Sequence, residues 1–184
     1  MSLRLALASA YLPSVLRRRG LAELAARTAR ACGTTPPDLA GLTADAALHR
    51  FATFTREQSE VASASPERAA QTRRRLRSEM RAFGGRLRRR LGVRSRAEAF
   101  RAARVLYRAI GIDLQGSASG AILVRSCAFA STYRPDTCAF MGAMDEGLLA
   151  GLAGEGRLEF SQRITEGAAR CAASYTFTFE PSAR

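Results

Sequence analysis

The run Gly111-Ile112-Asp113-Leu114-Gln115-Gly116-Ser117-Ala118-Ser119-Gly120-Ala121-Ile122-Leu123-Val124-Arg125-Ser126-Cys127 decides the fold class. Before it, apolar residues recur at helical spacing: Phe100, Ala103, Leu106, Tyr107 and Ile110 form one face of a helix opened by the S-x-x-E capping box of Ser95 and Glu98. At Gly111 the period changes. Ile112 to Gln115 reads as a strand, Ser117 to Gly120 as a turn and Ala121 to Cys127 as the returning strand.

Downstream, Pro135 suits the first turn of a helix, with Asp136 beside it at the positive end of the dipole. That helix runs to about Leu152 and stops at Gly154 and Gly156. Arg157 to Thr165 reads as a strand, Glu166 to Ala169 as a turn, and Cys171 to Phe179 as a last strand carrying Tyr175, Phe177 and Phe179 in alternation. Residues 111–184 are therefore expected to form a ββ-α-ββ module with an antiparallel sheet and its helix on one face.

Residues 1–110 read as helical, making the chain an α+β protein. Leu3 to Cys32 predicts two short helices, the second with Leu21, Leu24, Ala25, Thr28 and Cys32 on one face, so that Cys32 is a core residue. Thr43 caps a helix with the stripe Ala44, Ala47, Leu48, Phe51 and Phe54; His49, the one histidine, lies beside that stripe as a rim residue. After the break at Ser63 to Pro66, Glu67 to Phe83 predicts an Arg-rich helix stopped by Gly84-Gly85. A short basic helix from Arg86 to Leu91 follows.

Charge divides the chain in the same place. Lysine is absent, and 15 of the 29 arginines stand between residues 66 and 108 against only three acids. Arg73, Arg77 and Arg81 share one helical face. A solvated face is the simplest account; phosphates of nucleic acid, an anionic membrane surface or an acidic protein are the partners such a run would take. No recognition-helix or zinc-finger motif accompanies it. Arg17 to Arg19 follow the apolar start of the chain where a signal peptide would need a small-residue cleavage site, and that start is too short to span a bilayer; a cytoplasmic protein with reduced thiols is expected. The sequence is compatible with a homo-oligomer.

The chemistry is expected at Cys127, Cys138 and Cys171: a strand end, a helix start and a strand start. A thiol in the first helical turn feels the positive end of the dipole, which predicts a lowered pKa for Cys138. Asp145 shares its helical face about 10 Å along the axis. Three readings stand open: a metal centre, zinc or iron, with three thiolate ligands, although the spacings match no standard zinc pattern; a nucleophilic or acid–base site; or small core residues.

The words Leu123-Val124-Arg125-Ser126-Cys127-Ala128-Phe129, Pro135-Asp136-Thr137-Cys138, Met144-Asp145-Glu146-Gly147-Leu148, Leu158-Glu159-Phe160 and Arg163-Ile164-Thr165-Glu166-Gly167-Ala168-Ala169-Arg170-Cys171 occur in an order that resembles the L-2-amino-thiazoline-4-carboxylic acid hydrolase-like family. More distantly they are similar to 4-vinyl reductase-type domains. The resemblance spans about Arg104 to Phe179. It implies a small metabolic or biosynthetic enzyme, hydrolysing a small anionic, amidine- or thiazoline-like substrate, with Cys127, Cys138, Asp145 and Cys171 at the matching positions. On this reading Cys138 is nucleophile or ligand, Asp145 the acid–base partner, and Arg125 or Arg163 a carboxylate clamp. The alternative is a metal- or ligand-binding sensor module whose basic helices contact nucleic acid or a partner protein.

Overall fold

A computed structural model describes residues 3–11 and 13–178. Its elements are α1 (Leu3–Ala10), α2 (Ser14–Cys32), α3 (Ala44–Ala62), α4 (Pro66–Leu91), α5 (Arg96–Ala109), β1 (Ile112–Gly116), β2 (Ala121–Cys127), α6 (Pro135–Ala153), β3 (Gly156–Gln162) and β4 (Cys171–Phe177). The fold is α+β, with helices first and a four-stranded antiparallel sheet of order β1-β2-β4-β3 after them. The expected hairpin, the helix after it and the closing strand pair are all present. Phe179 lies outside the described residues.

Local chemistry sets the element boundaries. Thr43, Ser65 and Ser95 each turn a side-chain oxygen to the backbone N–H three residues on, capping α3, α4 and α5. The Glu98 carboxylate reaches back to the N–H of Arg94 at 2.8 Å, completing the box one residue earlier than the usual pattern. Leu114, Ile122, Val124, Cys171 and Tyr175 point to one face of the sheet, where they pack with Phe100, Ala103 and Tyr107 of α5 and Leu148, Leu149 and Leu152 of α6. Leu5, Met80 and Phe83 of α1 and α4 belong to the same cluster, so the helical region and the module share a core.

Three expectations change. Gly84-Gly85 does not end the Arg-rich helix: α4 runs unbroken for 26 residues to its left-handed cap at Gly92. Gly84 serves packing instead. A Cβ on Gly84 would lie 2.5 Å from the Leu148 carbonyl oxygen, and on α6 a Cβ on Gly147 or Gly151 would strike the carbonyl oxygens of Arg77 and Arg81. Gly147 and Gly151, one turn apart, thus bring the α6 backbone against α4 in the most extensive contact of the fold. Arg77, expected on an exposed face, is half-buried and bridges Glu146 at 2.7 Å and Glu155 at 2.9 Å. Finally β3 stops at Gln162, and Ile164–Glu166 forms a single 3-10 turn rather than more strand.

Gly147→Ala is expected to cost about 2–3 kcal/mol in urea unfolding, because backbone of a neighbouring helix cannot yield as a side-chain tip can. Gly142, also within α6 but with nothing near its missing Cβ, serves as the control: Gly142→Ala should be neutral or stabilising by up to about 1 kcal/mol. Equal effects at the two positions would contradict the packing role.

Candidate functional site: an apolar cavity with a polar end

Between the helical region and the module lies a cavity of about 590 Å³. Leu24, Met80, Phe83, Leu106, Met144 and Leu148 are among its apolar walls, drawn from α2, α4, α5 and α6. Its lining includes the exposed Leu16, Arg19 and Arg90, which place the mouth between the start of α2 and the end of α4. At the inner end stand Tyr107, Cys127, Tyr133, Cys138, Asp145 and Thr165.

Asp145 is the focus of that end. It is enclosed by protein yet keeps surface toward the cavity. The buried Tyr107 hydroxyl donates to its Oδ1 at 2.6 Å, while Oδ2 takes no hydrogen bond from the described residues. Burial raises its pKa to about 6, against the opposing pull of the Tyr107 hydrogen bond and the Arg163 guanidinium. The Tyr107 phenol is in turn pushed well above its ordinary value, first by burial and then by Asp145. Tyr133 meets Thr55 at 2.6 Å and is raised likewise, chiefly by burial.

The cysteines gather at this end, but not as activated thiols. Cys127 is raised to about 11, chiefly by burial; Asp145, Cys138 and Cys171 are near enough to add to the effect. The Cys138 thiol is also pushed up, contrary to the expectation from the helix dipole. Cys138 is the fourth residue of α6, and its own N–H is already bonded to the Arg134 carbonyl at 3.0 Å. Burial therefore outweighs the help of Thr165 and Arg163. Cys171 lies just outside the cavity lining, its sulfur accepting the Ile164 N–H at 3.3 Å. Among the described residues no three of His, Cys, Asp and Glu are placed to hold one ion, so the thiolate set does not fit zinc or iron. Cys32 is half-buried at the end of α2, its thiol raised by burial.

The two arginines expected to clamp a carboxylate are placed differently. Arg125 is exposed on β2 beside the Gln115 amide and does not line the cavity. Arg163 is close enough to bear on Asp145 and Cys138, stacks over Phe160 at 4.6 Å and pairs with Glu166 at 3.1 Å. Its Nε is buried without a hydrogen-bond partner, as is Thr165 Oγ1, which faces Cys138 without ordinary hydrogen-bond geometry. Sequence reasoning missed Tyr107, Tyr133 and Thr165 as site residues. A phenol on a buried helix face was the available signal, since a buried hydroxyl requires a partner.

No family model, curated protein or solved structure matches this chain. Among the described residues no helix is long and apolar enough to cross a membrane.

The Asp145 shift has a stability consequence of definite sign. Its folded pKa of about 6 lies above the ordinary carboxyl value near 4, so the burial penalty is absent below about pH 4 and grows as pH rises through 6. Asp145→Asn keeps an acceptor for Tyr107 and removes the charge. The variant should match wild type near pH 4 and exceed it by about 3 kcal/mol above pH 7, measured by urea unfolding across pH. A difference independent of pH would contradict this account of the carboxyl.

Proposed function

We propose that this chain is a small-molecule-binding module whose ligand is largely apolar and carries one hydrogen-bond donor at its inner end. The observation that carries the reading is the cavity itself: about 590 Å³ of mainly apolar wall, ending at the Tyr107–Asp145 pair with an unshared carboxyl oxygen. Ligand sites are commonly of this size and make-up, with few polar groups that set orientation. A hydroxyl, amide or amine of the ligand bonds to Asp145 Oδ2. As Asp145 ionises near pH 6 it becomes the better acceptor, so binding strengthens as pH rises through that value.

Hydrolytic chemistry, which the resemblance to the thiazoline carboxylate hydrolases implies, is the second reading. One observation favours it: a carboxyl near pKa 6 in a mainly apolar cavity is suited to proton transfer at neutral pH. Against it, Cys127 and Cys138 are held as thiols. Cys138 also stands two turns from Asp145 on α6, and among the described residues the Asp145 carboxyl takes its hydrogen bond from Tyr107 and not from Cys138. The sensor role adds a partner for the basic segment, whose exposed arginines include Arg73, Arg74 and Arg75.

N-phenyl-1-naphthylamine, an apolar fluorophore with one N–H donor, tests the binding reading. It should bind saturably at one equivalent. Leu106→Trp, which extends a half-buried wall residue into the cavity, should weaken binding at least tenfold without lowering the melting temperature. Unsaturable binding, or equal affinity in the variant, would overturn it. Turnover of 2-aminothiazoline-4-carboxylate that is lost in Cys138→Ser would move the second reading to the front.

A further inference from the structure

Five large apolar side chains are exposed among the described residues, and four of them fall within ten positions of sequence: Leu7 at 61%, Tyr11 at 73%, Val15 at 48% and Leu16 at 50%. The fifth, Val61, belongs to α3. Leu7 and Tyr11 are successive-turn neighbours, with the Tyr11 N–H on the Leu7 carbonyl at 3.0 Å; Val15 and Leu16 open α2. Arg17, which donates to the Ala109 carbonyl, comes next, and the exposed Arg18 and Arg19 follow it. Leu16 and Arg19 also line the mouth of the cavity, so the patch borders its entrance.

We infer that this patch docks the protein on an anionic lipid bilayer, with the cavity mouth turned to the membrane. The apolar tips enter the headgroup–acyl boundary, and the guanidinium groups of Arg18 and Arg19 meet lipid phosphates at its edge. Apolar residues flanked by arginines are the chemistry that an interfacial membrane site requires. A protein partner would also cover apolar side chains, but the dense positive charge beside them favours a surface of repeated negative charge. α1 is held to the body by Arg108 of α5, whose guanidinium donates to the Ser9 carbonyl at 2.8 Å, so the patch is presented on an anchored element. The inference goes beyond ligand binding: docking gives an apolar ligand a path from bilayer to cavity that avoids water. Vesicle binding can be measured whether or not the cavity takes a ligand.

Vesicle co-sedimentation tests it, with phosphatidylcholine alone and with 30 mol% phosphatidylglycerol as order-of-magnitude anionic content. Wild type should bind the anionic vesicles at least tenfold more tightly, and the binding should weaken with salt. The triple variant Leu7→Ser, Tyr11→Ser, Val15→Ser touches no cavity-lining residue, so it should keep fluorophore binding and lose at least tenfold in vesicle affinity. Arg18→Glu with Arg19→Glu should lose a similar factor. Arg73→Glu with Arg74→Glu changes exposed charge about 25 Å along α4 from the mouth and should stay within twofold of wild type. Equal loss in that control means diffuse charge attraction and overturns the inference. So does full binding by the triple variant. So does a wild-type dimer without vesicles that the triple variant dissolves while vesicle binding is unchanged, which would make the patch a self-association surface.

Discussion

The backbones of α4 and α6 touch. Gly84 on one helix and Gly147 and Gly151 on the other remove the side chains that would hold them apart, and the carbonyls of Arg77, Arg81 and Leu148 fill that space. Close approach of this kind fixes rotation as well as distance, because only the face of α6 that carries Gly147 and Gly151 can lie against α4; Gly142 is on another face with nothing near it. With that face against α4, Leu148, Leu149 and Leu152 are committed to the core, and Asp145 and Met144 to the cavity. Ion pairs from Arg77 to Glu146 and Glu155 border the same seam and oppose sliding along it. The basic segment thus has an internal role that its charge alone would not suggest.

From that placement the electrostatics of the polar end follow. A carboxyl turned into an apolar cavity is deprived of water, and one phenol hydrogen bond and a neighbouring guanidinium restore only part of the lost solvation. Burial likewise raises Cys127 and Cys138. Burial is therefore the common cause of the perturbed groups, and its effect is opposite in use: it brings Asp145 toward neutral pH and takes the thiols away from it. A site built this way is better suited to recognising a donor group than to thiolate attack.

Much of the fold was legible because local chemistry spoke clearly: the change of period at Gly111, Pro135 at a helix start, and the serine and threonine caps. Gly84-Gly85 misled because a glycine pair is read as a stop when only the chain is visible, whereas its meaning here is set by Leu148 on another helix. Cys138 misled for a related reason. Helix position can be counted along the sequence, but burial cannot, and burial decided the direction of its shift. Element ends suggested that Cys127, Cys138 and Cys171 meet; Cys127 and Cys138 line the cavity while Cys171 does not, and Asp145 was placed by the helical face it shares with Cys138. The cavity was not, since its walls come from α2, α4 and α5 as much as from the module. Arg125 and Arg163 looked equivalent in sequence; alternation along β2 sends Arg125 to solvent, whereas Arg163, one residue past the end of β3, is left beside the site.

The central claim is that Asp145 forms the buried polar end of a ligand cavity. Carbon-13 NMR titration of the Asp145 side-chain carboxyl tests it directly, in the free protein and with N-phenyl-1-naphthylamine bound. The account predicts titration near pH 6 in the free protein and a further shift when the cavity is filled, because the ligand donor changes what the charged form meets. A carboxyl that titrates near 4 and ignores the fluorophore would contradict it.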